Sequence, residues 1–146
     1  MHVHSLGHVV LKVRNLERSV AFYRDVLGLT EVARLGTSMV FFSIAGNHHD
    51  VALQRVGDDA PDPPSKAPGL AHLALKIGHD LNELRDAKAH LTAHQVEIVR
   101  LRDHEVTKSI YFNDPDGNML EVFVEGDPET WRADPSMVAT SNELSL

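Results

Sequence analysis

Gly7-His8-Val9-Val10-Leu11-Lys12-Val13 recurs at 71–77 as Ala71-His72-Leu73-Ala74-Leu75-Lys76-Ile77. Each run is apolar or alternating, which predicts a buried strand. A segment with helical spacing follows each run. The first, 16–27, sets Val20, Phe22, Tyr23, Val26 and Leu27 on one face and stops at Gly28; the second, 81–94, keeps Leu84, Ala87, Lys88 and Leu91 in step. Three strand candidates then follow in each half. They lie near 30–35, 38–44 and 50–56 in the first, and near 96–101, 108–113 and 118–125 in the second. Gly46-Asn47 and Asp114-Pro115-Asp116-Gly117 supply turns. The chain thus reads as βαβββ followed by βαβββ. The expected fold class is α+β: two tandem βαβββ modules forming a curled mixed sheet around a metal-site cavity, since neither small sheet is stable alone. One domain, 1–146, would hold module one (6–56), a Pro- and Asp-rich linker (57–68), module two (69–125) and a C-terminal tail (126–146). The tail carries the one Trp, Trp131, and its last residues read as disordered.

Three residues interrupt the apolar runs: His8, His72 and, within Asn118-Met119-Leu120-Glu121-Val122-Phe123, Glu121. A lone strand histidine is ordinarily structural, and Glu121 beside Leu120 and Val122 could point to either face. Two histidines at equivalent places in a repeat become neighbours, however, if the modules share a cavity. Two imidazoles and one carboxylate then form a facial set with open coordination positions. That set suits Fe(II), with Mn(II) or another divalent metal as alternatives.

Composition narrows the field. There is no Cys among the 146 residues, so disulfides and thiolate ligation are impossible. The net charge of −7, with scattered acidic residues, argues against nucleic acid as a partner. No apolar stretch is long enough to span a bilayer, and the N-terminus lacks the apolar core of a signal peptide. No membrane association and a cytoplasmic location are therefore expected. The ten histidines identify no site by number alone, because His2, His4, His79, His90 and His94 read as surface or structural residues. Half-open sheets leave edges to cover, so a homodimer is expected. Whether one chain's modules share a site or trade partners across a dimer stays open at this level.

Residues 6–125 resemble the vicinal oxygen chelate superfamily, which includes glyoxalase I, bleomycin- and fosfomycin-resistance proteins and extradiol ring-cleaving dioxygenases. Asn15-Leu16-Glu17-Arg18-Ser19-Val20-Ala21-Phe22-Tyr23-Arg24-Asp25-Val26-Leu27-Gly28-Leu29 is similar to that family's first helix. Asp114-Pro115-Asp116-Gly117-Asn118-Met119-Leu120-Glu121 is similar to its last turn and strand. Three further features resemble the catalytic module of the extradiol enzymes. His49-Asp50-Val51-Ala52-Leu53 is similar to a segment whose histidine is the second-sphere acid/base. Tyr111 stands where that family keeps a substrate-facing tyrosine ahead of the carboxylate ligand. His104, in Arg102-Asp103-His104-Glu105-Val106-Thr107, is similar to a histidine that contacts the substrate oxygens or the second shell. There Glu105 replaces the usual glycine, and the stretch to Tyr111 is shorter than the family's. Only the catalytic half of the large two-domain dioxygenases is represented.

The resemblance implies His8, His72 and Glu121 as metal ligands and His49, Tyr111 and His104 as catalytic residues. The implied activity is Fe(II)-dependent extradiol cleavage of a small-molecule aromatic diol by O2. An imidazole titrates near neutrality, so His49 can take a catechol proton and a proton can be returned later. Phe41, Phe42 and Leu53 would line the ring pocket. Val51-Ala52-Leu53-Gln54-Arg55 holds no carboxylate where glyoxalase I-like relatives carry an acidic ligand, and Gln54 is the one candidate. Three protein ligands favour a dioxygenase or fosfomycin-resistance type over an isomerase. The alternatives are a glyoxalase- or fosfomycin-resistance-type metalloenzyme, independent of O2, and a drug-sequestering binding protein of the same fold, which has no use for the three ligands.

Overall fold

In the computed structural model, which describes residues 1–64 and 66–146, the chain divides into two units, Met1–Ala67 and Pro68–Leu146. The first runs β1 (Val9–Val13), α1 (Leu16–Ala21), a π-helical turn (Phe22–Val26), β2 (Thr30–Leu35), β3 (Met39–Ser43) and β4 (Val51–Arg55). Its sheet order is β1-β4-β3-β2, with β1 parallel to β4 and the other pairs antiparallel. Asn15 caps α1 by accepting the Arg18 backbone N–H. The sequence pattern predicts one helix over 16–27, but its last turn widens: the Leu27 N–H reaches back to the Phe22 carbonyl at 3.1 Å. The wider turn lets the adjacent Phe22 and Tyr23 both bury, edge to face, with ring centres 5.4 Å apart. Gly28, at φ 73°, then ends the helix where a Cβ would be strained.

The second unit runs β5 (Leu73–Gly78), α2 (Leu81–Ala93), β6 (Ile98–Asp103), β7 (Thr107–Asn113) and β8 (Met119–Glu125), then α3 (Pro128–Ala133), a 3-10 turn (Pro135–Ala139) and β9 (Asn142–Glu143). Its sheet order is β5-β8-β7-β6-β9. The first four places repeat those of the other unit, with a parallel pair at one end. Even the bulge recurs, between Glu31 and Ala33 on β2 and between Ile98 and Arg100 on β6. The repeat in sequence is therefore a repeat in topology, and the fold is α+β. No helix among the described residues is long and apolar enough to cross a membrane.

Each unit covers one face of its sheet with its own helix. Val20 and Tyr23 bury against Val40, Phe42, Val51 and Leu53; Leu84 and Leu91 of α2 bury against Ile110, Phe112, Leu120, Val122 and Val124. Phe42 and Leu53 are thus core residues beneath the helix, not lining of a ring pocket. β1 and β5, read from sequence as buried, are edge strands of their sheets, and Val10 and Ile77 are exposed at 44% and 38%. Asp80 caps α2 in a reciprocal capping box with Glu83. Asp80→Ala is expected to cost about 1 kcal/mol of stability, read from the urea midpoint; an unchanged midpoint would contradict the role of the box.

The tail corrects a further expectation. Its last residues read as disordered, yet they are ordered by local caps and by pairing to the sheet. Asp127 with Pro128, and Asp134 with Pro135, form N-cap and first-turn pairs whose carboxylates accept the Glu129 and Ser136 N–H groups. β9 then adds to the edge of β6, with Arg102 opposite Glu143 and Asp103 opposite Asn142. The Leu146 carbonyl accepts from Lys88 Nζ at 3.2 Å.

Candidate metal centre

Glu121 is positioned by the turn before it and by cross-strand register. Asp114, itself buried, accepts the N–H groups of Asp116 and Asn118, both at 2.8 Å, and Gly117 takes φ 88°. β8 leaves this turn with Glu121 opposite Ala74 of β5 on one side and Tyr111 of β7 on the other; Tyr111 in turn lies opposite Arg100. One row across the sheet therefore reads Ala74, Glu121, Tyr111, Arg100. The flanking residues Leu120 and Val122 point to the α2 side and are buried, which settles the direction that the sequence left open.

His72 stands one residue ahead of β5, and its Nε2 lies 3.1 Å from Glu121 Oε2. The carboxylate is only 6% exposed, and a buried charge needs partners. Two donors bound to one divalent ion at about 2.1 Å and at right angles lie about 3 Å apart. The spacing of this imidazole nitrogen and carboxylate oxygen therefore fits two adjacent ligands of a metal. The donor set, nitrogen and oxygen without thiolate, suits a first-row divalent ion.

Tyr111 extends the group. Its ring meets that of His72 edge-on at 5.4 Å, and the Arg100 guanidinium lies 4.4 Å over its face. Its hydroxyl lies 3.0 Å from His104 Nε2, while His104 Nδ1 lies 2.7 Å from the Thr140 carbonyl oxygen. Burial first, then the neighbouring Glu121 carboxylate, push the phenol pKa up to about 12, against smaller opposing pulls from Arg100 and Arg102. At neutral pH Tyr111 is therefore a proton donor. Ser109, on the same face of β7, is fully buried, and its hydroxyl has no hydrogen-bond partner among the described residues.

His8 occupies the matching place in the first unit, one residue ahead of β1. Its ring is 4.4 Å from that of His49, which also meets Phe41 edge-on at 5.3 Å. His48 and His49 share a contact between their Nδ1 atoms at 2.7 Å. Desolvation, then His8 and His48, hold the His49 pKa below the ordinary imidazole value, with Asp50 pulling the other way. The row equivalent to Glu121 and its neighbours reads Val10, Ala52, Phe41, Ala33. Ala52 thus stands where Glu121 stands in the second unit, and Gln54 lies farther along β4, so the first unit offers no carboxylate at that place.

Asp50 fixes the loop that carries His48 and His49. Its carboxylate accepts the Ile44 N–H at 2.8 Å and Asn47 Nδ2 at 2.7 Å. The Ile44 bond first, then Asn47, lowers its pKa. Because the folded pKa is depressed, this hold is complete above the unfolded carboxylate value and is lost as pH falls through the folded one. Relative to its intrinsic rate at each pH, exchange of the Ile44 amide hydrogen should therefore stay slow near neutrality and quicken only in acid. Asp50→Ala should quicken it at neutral pH, and unchanged protection in that variant would remove Asp50 from the clamp.

Two groups of expected residues are thus assembled: His72, Glu121, Tyr111 and His104 in one unit, His8 and His49 in the other. Within either unit, the described residues gather no three His, Asp or Glu side chains into a set that could hold a metal. Arg100 and the Thr140 carbonyl escaped the sequence reading. Alternation along Arg100-Leu101-Arg102 and the paired Asp-Pro steps of the tail were the available signals.

A family model described as Glyoxalase/Bleomycin resistance protein/Dioxygenase superfamily matches residues 5–122. Catechol-2,3-dioxygenase of Bacillus subtilis (strain 168) is 31% identical over 129 residues, 88% of this chain but 44% of that protein. Biphenyl-2,3-diol 1,2-dioxygenase 3 of Rhodococcus globerulus is 35% identical over 121 residues, 82% of this chain and 63% of that protein. The chain therefore spans less than two thirds of either dioxygenase. Metallothiol transferase FosB of Lysinibacillus sphaericus (strain C3-41) is 32% identical over 124 residues, 83% of this chain and 82% of that protein. Among solved structures, lactoylglutathione lyase from Agrobacterium tumefaciens matches with a TM-score of 0.66 at 25% identity, covering 87% of this chain and 96% of that one.

Proposed function

The chain belongs to the Glyoxalase/Bleomycin resistance protein/Dioxygenase superfamily, and from that premise we propose that it is a metal-dependent extradiol dioxygenase that opens a catechol-type aromatic diol with O2. The single observation that carries this reading is the cluster around Glu121. A carboxylate lies 3.1 Å from an imidazole nitrogen, beside a protonated phenol that is itself coupled to a second imidazole. The likeness to two aromatic-diol dioxygenases supports it. We assign His8, His72 and Glu121 as ligands of Fe(II), with Mn(II) as the alternative. In this reading the modules at 6–56 and 69–125 serve one domain, in one chain or across a homodimer in the cytoplasm.

When bound, the metal would supply a Lewis acid that gathers the two vicinal diol oxygens and O2 in one coordination sphere. The chain's own groups do the rest. His49, half-buried beside His8 and neutral at pH 7, accepts a proton from the diol. With diol bound, Tyr111 would turn its hydroxyl hydrogen from His104 Nε2 toward a substrate oxygen, and the Nε2 lone pair it leaves would be free to accept a proton. Phe41, beside His49, offers an apolar face to the ring. Ser109 supplies a hydroxyl with no hydrogen-bond partner among the described residues.

One observation favours a second reading, a metal-dependent thiol transferase: the chain covers far more of FosB than of either dioxygenase. The two are separated by O2 uptake of anaerobically Fe(II)-loaded protein with catechol, 2,3-dihydroxybiphenyl and 3,4-dihydroxybenzoate. The dioxygenase reading expects uptake together with a coloured ring-opened product. No uptake, with thiol consumed on fosfomycin under nitrogen, would replace it with the transferase.

A further inference from the structure

We propose that the C-terminal segment is a working part of the site, in which the Thr140 carbonyl fixes a proton on His104 Nδ1 and so makes Nε2 the nitrogen that exchanges a proton with Tyr111. The functional consequence rests on the dioxygenase reading; the tautomer itself does not. A carbonyl oxygen only accepts, so Nδ1 at 2.7 Å from it must carry hydrogen, in the neutral ring and in the cation alike. In the neutral ring Nε2 is then a bare lone pair 3.0 Å from the Tyr111 hydroxyl, and the phenol donates to it. A histidine without such a partner favours hydrogen on Nε2. That tautomer would present a donor to Tyr111 and turn the single phenolic hydrogen toward Glu121. The tail therefore decides between two acceptors that compete for one proton. It directs that proton to His104 and leaves the Glu121 lone pairs for a cation.

The carbonyl is held in place by several contacts. Its own residue closes the 3-10 turn through the Thr140 N–H to the Met137 carbonyl at 3.0 Å, and Asp134 caps the start of that turn. Asn142 and Glu143 pair with β6 immediately afterwards, next to the strand end that leads into His104. Asp134, Met137, Thr140, Asn142 and Glu143 all lie beyond 5–122, the stretch matched by the family model. Thr140 is a positioning residue that acts through His104.

The test is long-range proton–nitrogen NMR of the full-length, metal-free chain with 15N-labelled histidine, with His104 identified by its absence in His104→Gln. His104 is expected as the Nδ1–H tautomer. Asn142→Pro, on the exposed β9, removes a backbone donor from the edge pair. It is expected to move His104 to the Nε2–H form and to lower kcat about tenfold at unchanged metal occupancy. The Nε2–H form in the parent chain, or the Nδ1–H form persisting in Asn142→Pro, overturns the proposal. A correct tautomer shift in a chain that takes up no O2 would leave it standing and remove the dioxygenase reading instead.

Discussion

Glu121→Ala is expected to weaken metal binding by at least about 100-fold while leaving the fold intact. The proposed site loses a first-coordination ligand, and even outer-shell partners are worth about 10- to 100-fold in affinity. The fold should tolerate the change, because Ala52 already occupies the equivalent place between Val10 and Phe41 in the first unit. Removing a carboxylate that is 6% exposed also removes a buried charge. Tyr111 keeps His104 as an acceptor, so no buried donor is stranded. The measurement is the iron-to-protein ratio after desalting, paired with a thermal melt of the metal-free protein. Full metal retention in the variant would take Glu121 out of the ligand set. Collapse of the melt would show a structural role that the repeat does not anticipate.

Tyr111→Phe is expected to retain metal and to slow turnover roughly 100-fold, within the range for loss of a positioned proton donor. Phe41 fills the equivalent place in the first unit, so the ring itself fits such a row. Only the hydroxyl between His104 and Glu121 is removed. The phenol's raised pKa keeps it protonated throughout the neutral range. Under the proposed function, the parent chain should therefore show no loss of rate near neutral pH from ionisation of Tyr111. Single-turnover kinetics with catechol report this directly, and an unchanged rate would leave the site with a metal group but no proton donor on β7.

Local patterns carried much of this architecture. His8 and His72 could be paired from sequence because the runs containing them repeat, and the structure places each one residue ahead of the first strand of its unit. The Asp114–Gly117 turn was equally legible, since a carboxylate that accepts nearby N–H groups and a glycine at positive φ are local requirements. What escaped notice depends on register between strands distant in sequence. Arg100 reaches the Tyr111 ring only because a bulge after Ile98 shifts β6 against β7. Phe42 and Leu53 read as pocket residues until alternation placed them beneath α1, with Phe41 on the opposite face. The last residues of the tail read as disordered because chain ends commonly fray, although its two Asp-Pro steps encode helix starts.

Under the proposed function, His8, His72 and Glu121 hold one divalent ion. Anomalous diffraction at the iron edge, from crystals grown anaerobically with Fe(II), tests it most directly. The expected result is one iron peak per chain, within bonding distance of a nitrogen of His8, a nitrogen of His72 and a carboxylate oxygen of Glu121. A peak bound by other residues, or fully loaded crystals in which His8 lies away from the iron, would contradict it.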